Sequence, residues 1–237
     1  MNKIIDITFD LETCDVTPSA APMQLAAVVW DRTRIKADGD PFLRNEIKST
    51  TDSPAGVPAP LLLFNRRADL TAAVMDGLSF SQDTIDFWSR QRTEAKREVM
   101  GTDPSMRLSP EELWRKFFAW CEVVKEHTES DHICLWCQGQ DFDIPMMKHC
   151  ATKYGLQMPF NQYSFRDCRT LAFEAALTAR DRADEIFRHP KTEPYRLLPP
   201  MPDYLTGYSP DAAFDCIRST WSTWHVLLQM KGLTTKE

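Results

Sequence analysis

The run Ile4-Ile5-Asp6-Ile7-Thr8-Phe9-Asp10-Leu11-Glu12-Thr13 constrains this chain more than any other segment. Its Ile, Thr and Phe residues are β-formers in partial period-two alternation, so it reads as a strand. Residues two apart on a strand point to one face, which sets Asp10 and Glu12 side by side near its end. Paired carboxylates repel unless something neutralises them. A hard divalent cation does so well, because Mg²⁺ and Mn²⁺ prefer oxygen ligands. A solvated pair of surface acids satisfies the same spacing, and these two residues alone leave both readings open.

At 237 residues the chain can bury a substantial core, and one domain, residues 1–237, is expected. A formal charge of −6 argues against the broad basic surface that wraps duplex DNA. It leaves room for a nucleic-acid enzyme, since bound metal inverts the local field. Asp6 and Asp10 interrupt the first apolar stretch, which therefore does not read as a signal peptide. No segment has the length and apolarity of a membrane span. Seven cysteines, an odd number, predict reduced thiols and a cytoplasmic protein. Cys134 and Cys137 have CxxC spacing, but they sit in an apolar run with no second pair. Two small thiols in a buried strand are expected there rather than zinc.

Met23 to Trp30 predicts a second strand and Phe42 to Ile47 a third, with residues 49–60 a loop. Asp83 to Gln91 reads as a helix, and another begins near Thr93. Ser109-Pro110-Glu111-Glu112 is a strong helix start, with a capping serine, proline in the first turn and acids at the positive end of the dipole. Leu113, Phe117, Trp120 and Val124 then recur at helical spacing and mark the core face. His132 to Trp136 predicts a strand, Phe142 to Tyr154 a helix, 163–165 a short strand and Leu171 to Ile186 a helix. Five prolines in 188–203 require an irregular connection. Ser209-Pro210-Asp211 opens a last helix that runs to about Met230. Strands first, then alternating helices and strands, predict an α/β sheet covered on both faces.

Three further acids attract attention. Asp143 follows Gly139 where a strand gives way to a helix, the kind of strand end at which α/β sites lie, although taken alone a helix cap is the better explanation of it. Asp211 and Asp215 are four apart on the last helix and share a face.

Together these segments resemble the DEDD superfamily of 3′–5′ exonucleases, whose fold is a ribonuclease-H-like mixed sheet. The likeness is closest to the bacterial and phage exoribonuclease branch. Asp10 to Thr13 fits its Asp-x-Glu-Thr. Thr84-Ile85-Asp86-Phe87-Trp88 with Gln91 and Ala95 is similar to its Thr-Ile-x-Trp-Trp segment. Trp136 to Asp143 fits Trp-x-x-Gly-x-x-Phe-Asp, and Arg166 to Leu171 fits Arg-Asp-x-Arg-Thr-Leu.

The resemblance implies that Asp10, Glu12, Asp143 and Asp215 hold two divalent ions, Mg²⁺ or Mn²⁺. It implies a substrate presenting a single-stranded nucleic-acid 3′ end, RNA or DNA. Leu11 and Thr13 would approach the terminal nucleotide, and Trp88 and Phe142 would stack or wedge against bases unless they serve the core. Gln91 would touch substrate, and Arg169 would meet phosphate or pair with Asp167. A homodimer is left open. One position departs from the pattern. The branch carries a general-base histidine five residues before the last aspartate, and here Pro210 stands there. The related tyrosine class uses the position four before, which is Asp211; Tyr208 is out of register. A missing general base typically costs ~10²–10⁴-fold in rate. His225 lies ten residues past Asp215, ~15 Å along a helix, so His189 in the proline-rich connection is the better substitute.

Overall fold

The computed structural model describes residues 3–34, 39–44, 61–178, 183–196, 198–205, 207 and 210–232. Its centre is one sheet of β1 (Ile4–Thr13), β2 (Pro22–Trp30), β3 (Leu63–Arg67), β4 (His132–Cys137) and β5 (Phe165–Asp167), in the spatial order β3-β2-β1-β4-β5. The β1–β2 and β2–β3 pairs are antiparallel, whereas β1–β4 and β4–β5 are parallel. Only β2 therefore runs against the rest, the mixed sheet expected of a ribonuclease-H-like chain.

Alternation along β1 decides what covers each face. Ile5, Ile7, Phe9 and Leu11 enter a core cluster with Leu113, Phe117 and Cys121 of α4 (Pro110–His127) and Met147 and Cys150 of α5 (Asp143–Lys153). The opposite face carries Asp6, Thr8, Asp10 and Glu12. Such a polar stripe would ordinarily meet water, yet here α8 (Ala212–Met230) lies over it. The buried groups are paired as burial demands. Thr220 donates to Thr8 at 2.7 Å, Trp30 Nε1 donates to Thr8 at 3.0 Å, and Asp6 accepts from Trp136 Nε1 at 2.7 Å and Arg32 Nε at 2.8 Å. Ala26, Val28, Trp30, Cys134 and Trp136 complete this second core with Cys216 and Trp224 of α8. Helices thus cover both faces.

A third cluster lies beyond the end of β1, where α1 (Leu70–Met75), α2 (Gln82–Ser89) and α3 (Thr93–Met100) enclose Cys14, Ala21, Met23 and Trp88. The remaining helices are α6 (Cys168–Thr178) and α7 (Ala183–Arg188), followed by short 3-10 turns at Glu193–Tyr195 and Asp203–Leu205.

The capping signal at α4 forms as the sequence predicts. Ser109 Oγ accepts from Glu112 N at 3.2 Å, and Glu112 returns a carboxylate to Ser109 N at 3.4 Å. All seven cysteines are free and buried, Cys134 and Cys137 among them on β4.

Four elements differ from expectation. The third strand is Leu63–Arg67, because β2 offers its free edge to that segment. Phe42 and Arg44 make only single bridges, to Trp30 and Leu61, and residues 45–47 of the expected strand and the expected loop lie outside the described residues. The helix expected over 171–186 is two, α6 ending at Thr178 and α7 starting at Ala183. The short strand lies two residues later than expected, at Phe165–Asp167. Finally, α8 does not open on Ser209-Pro210. Its N-cap is Asp211, whose Oδ1 accepts from Ala213 N at 3.2 Å, and Pro210 precedes the helix. Ser209 lies outside the described residues.

Candidate active site

Asp10 and Glu12 share the α8 face of β1, and the first turn of α8 brings Asp215 onto them. One carboxylate oxygen from each of Asp10, Glu12 and Asp215 lies within 4.8 Å of the others. The β1–β2 register slips between Glu12 and Thr13, a bulge that bends the strand immediately after the second acid. Glu12 stands opposite Gln24 on β2, and Gln24 fixes the helix that delivers Asp215. Fully buried, Gln24 donates from Nε2 to Asp211 Oδ1 at 2.8 Å and to Asn65 Oδ1 at 3.0 Å, and its Oε1 accepts from Ala212 N at 3.1 Å. This amide therefore holds two groups at the start of α8. Sequence reading passed over it; the available signal was one polar residue in an otherwise apolar nine-residue run, Pro22 to Trp30.

Asp143 opens α5 and is only 2% exposed, outside the tight triplet but beside it. The cap explanation for it fails. The N-cap of α5 is Phe142, which makes no side-chain cap bond, and Asp143 Oδ1 is buried without a hydrogen-bond partner among the described residues. The glycine before it is required. Gly139 has φ +114°, and a Cβ there would stand 2.8 Å from Arg169 Nη2, which donates to Gln138 O at 2.9 Å.

The electrostatics match the crowding. Burial pushes Glu12 up to about 9, helped by the charges of Asp10, Asp215 and Asp211. Burial likewise holds Asp10 well above the carboxylate range; Asp215 adds to this and Arg218 opposes it. Asp143 is raised by burial first and then by Asp10 and Glu12, while Arg169 opposes. Arg218 Nη2 reaches Asp215 Oδ1 at 2.9 Å. Two arginines, Arg218 and Arg169, against four carboxylates leave the cluster short of positive charge. All-oxygen donors, close spacing and an unsatisfied buried carboxylate oxygen fit hard divalent cations.

The other expected site residues separate. Leu11 is buried in the first core cluster, and Thr13 Oγ1 donates to Asp15 O at 2.6 Å. Trp88 is 5% exposed in the third cluster and donates Nε1 to Thr13 O at 3.1 Å, so its ring supports the strand end from inside and is closed to a stacking base. Gln91 Nε2 donates to Phe87 O at 3.2 Å, and Phe142 packs half-buried against the first core cluster. Arg169 is held on Gln138 O, while Asp167 accepts from Gln140 N at 2.8 Å and Thr170 N at 3.0 Å. His225 is buried between Trp221 and Trp224, with ring centroids at 4.4 and 4.8 Å, and burial pushes its pKa down to about 4. His189 is exposed just after α7.

A family model described as the 3′-5′ exoribonuclease Rv2179c-like domain matches residues 6–191. That span includes Asp10, Glu12 and Asp143; Asp215 and the whole of α8 follow it. No curated protein matches the chain significantly. Among solved structures, it is similar to cell-death related nuclease 4 (CRN-4) at 12% identity and a TM-score of 0.47, over 96% of this chain and 64% of the other. It is also similar to the nuclease domain of 3′hExo, a DEDDh family member, bound to rAMP. That likeness has 9% identity and a TM-score of 0.49, over 97% of this chain and 94% of the other. This chain thus spans just under two thirds of the length of CRN-4.

Proposed function

Because the chain belongs to the Rv2179c-like 3′–5′ exoribonuclease family, we propose that it hydrolyses single-stranded RNA or DNA from the 3′ end, releasing nucleoside monophosphates. Asp10, Glu12, Asp143 and Asp215 would hold two divalent ions, Mg²⁺ or Mn²⁺. The observation that carries this reading is the convergence of three carboxylates within 4.8 Å, with a fourth buried oxygen unsatisfied nearby. When bound, such ions supply Lewis acidity toward the scissile phosphate and the departing 3′ oxygen.

The chain's own part is orientation and charge. The strand fixes Asp10 and Glu12 on one face, and Gln24 and Asp211 fix the start of the helix that carries Asp215. Arg218 steadies Asp215 from the rim and adds a positive charge where a phosphate would enter. Pro210 has no titratable group, so the proton of the attacking water must leave by another route, and slow turnover follows. Pro210 also favours a second reading, a module that binds 3′ ends or partner proteins with the carboxylates kept and the chemistry lost.

Purified protein in Mn²⁺ with 3′-labelled and 5′-labelled single strands separates the two. Labelled monophosphate released from the 3′ end by wild type and not by Asp10→Asn supports the exonuclease. Strand binding without release at any pH supports the module.

A further inference from the structure

Beside the carboxylate cluster, and apart from it, lies a cavity of about 280 Å³ between α8, the end of β4 and the turn at Glu193–Tyr195. Its cations are Lys191, Arg196 and Arg218. Arg218 reaches Asp215 and Arg196 pairs with Glu193 at 2.9 Å, whereas Lys191 forms no ion pair among the described residues. Ser219 and Ser222, one turn apart on α8 and both largely buried, supply hydroxyls to the wall. Ser219 donates to Gln138 Oε1 at 3.3 Å, and Gln138 Nε2 donates to Tyr195 Oη at 3.0 Å. The wall is thus tied together by hydrogen bonds and donates from several sides. In a chain of formal charge −6, three cations and the hydroxyls of Thr192, Tyr195, Ser219 and Ser222 around one cavity select an anion with several acceptor oxygens.

We propose that this cavity binds a nucleotide phosphate as a second subsite beside the acidic cluster. The proposal rests on the nuclease reading for the identity of the anion as a nucleotide's. Arg218 belongs to both places, touching Asp215 on one side and lining the cavity on the other. A phosphate held there would sit next to the site of hydrolysis. It would come either from a neighbouring linkage of the bound strand or from a released 5′-mononucleotide.

Full-length Asp10→Asn protein in EDTA, titrated with uridine, 5′-UMP and a 5′-hydroxyl uridine tetranucleotide, tests this. The phosphate-bearing ligands should bind more tightly than uridine. Lys191→Gln should weaken them by about tenfold, the lower end of a charge-assisted hydrogen bond. Ser222→Phe, which fills the cavity, should weaken them further while uridine stays unchanged. Loss for the tetranucleotide alone identifies the strand as the source, and loss for 5′-UMP identifies the product. Phosphate-bearing ligands that bind no better than uridine, or binding indifferent to both substitutions, overturns the subsite. Hydrolysis of a labelled strand by wild type in Mn²⁺ is scored separately. Its absence defeats the nuclease reading and leaves the phosphate measurement standing.

Discussion

Removing one of the clustered carboxylates should make the metal-free protein more stable, although the same change should destroy activity. Asp10→Asn keeps the shape of the side chain and deletes one charge from three groups within 4.8 Å. At that separation and an effective dielectric of about 20, one pair of like charges costs about 3.5 kcal/mol. Protonation and partial solvation cap the cost, so the expected gain is about 2–3 kcal/mol, or about 4–12 °C in melting temperature for a chain of this size. The sign with pH follows from linkage. The folded-state pKa values of Asp10, Glu12 and Asp143 are raised, so their contribution is fully present below the unfolded values and is lost as pH rises through the folded ones. For Glu12 the window runs from its ordinary 4.5 to about 9. Wild type in EDTA should therefore melt progressively lower across that window, and Asp10→Asn should flatten the decline, because the Asp10 charge is one of the causes lifting Glu12 and Asp143. Thermal melts in EDTA at about pH 6 and about pH 8 read both effects. A variant that melts no higher than wild type at the upper pH would refute the crowding of like charge on which the site depends.

Mn²⁺ or Mg²⁺ should raise the wild-type melting temperature by mass action, by about 2.7 kcal/mol at a hundredfold excess over Kd; calorimetric heats and a melting shift unchanged in Asp10→Asn/Asp143→Asn would remove the metal site. Gln24→Leu should destabilise by about 2–4 kcal/mol, since it strands Ala212 N–H and two side-chain partners. Metal titration should then show weaker binding even though no carboxylate has changed, and unaltered affinity would deny Gln24 its positioning role. Single strands should bind more tightly than blunt duplexes at fixed salt, in keeping with the net acidic chain; equal or tighter duplex binding contradicts that. Pro210→His should speed 3′-end hydrolysis, up to the ~10²–10⁴-fold that a general base supplies. The start of α8 should survive this change, because Asp211 caps it. No gain over an already active wild type would assign proton removal elsewhere, with His189 the first residue to test.

The elements legible in the sequence are those whose pattern is complete within themselves. β1 and β2 carry continuous β-formers, and α4 carries its own cap and core stripe, so both kinds emerge without reference to partners. β3 does not. Leu-Phe-Asn-Arg-Arg has one buried side chain and becomes a strand because β2 presents an edge to it, whereas Phe42 and Arg44, in the described part of the more strand-like segment, make only single bridges. The start of α8 is a sharper case. Ser209-Pro210 has the better local signal, but Asp211 holds the cap because Gln24, far away in sequence, binds its carboxylate.

The site divides along the same line. That Asp10 and Glu12 share a face follows from strand geometry, and nothing local says that α8 will close over that face. Position alone draws the eye to Asp143 and Asp215, but only likeness to a family pattern separates them from ordinary acids at the start of a helix. Trp88 shows the limit of such likeness. The motif drew attention to an aromatic near the site, and burial then turns that ring inward to carry the Thr13 carbonyl. Its neighbour Phe87 stays 43% exposed on the same helix. A motif carries residue identity from chain to chain. Which side of the helix faces a ligand is decided by the third core cluster, and that cluster is assembled from α1, α2 and α3 together.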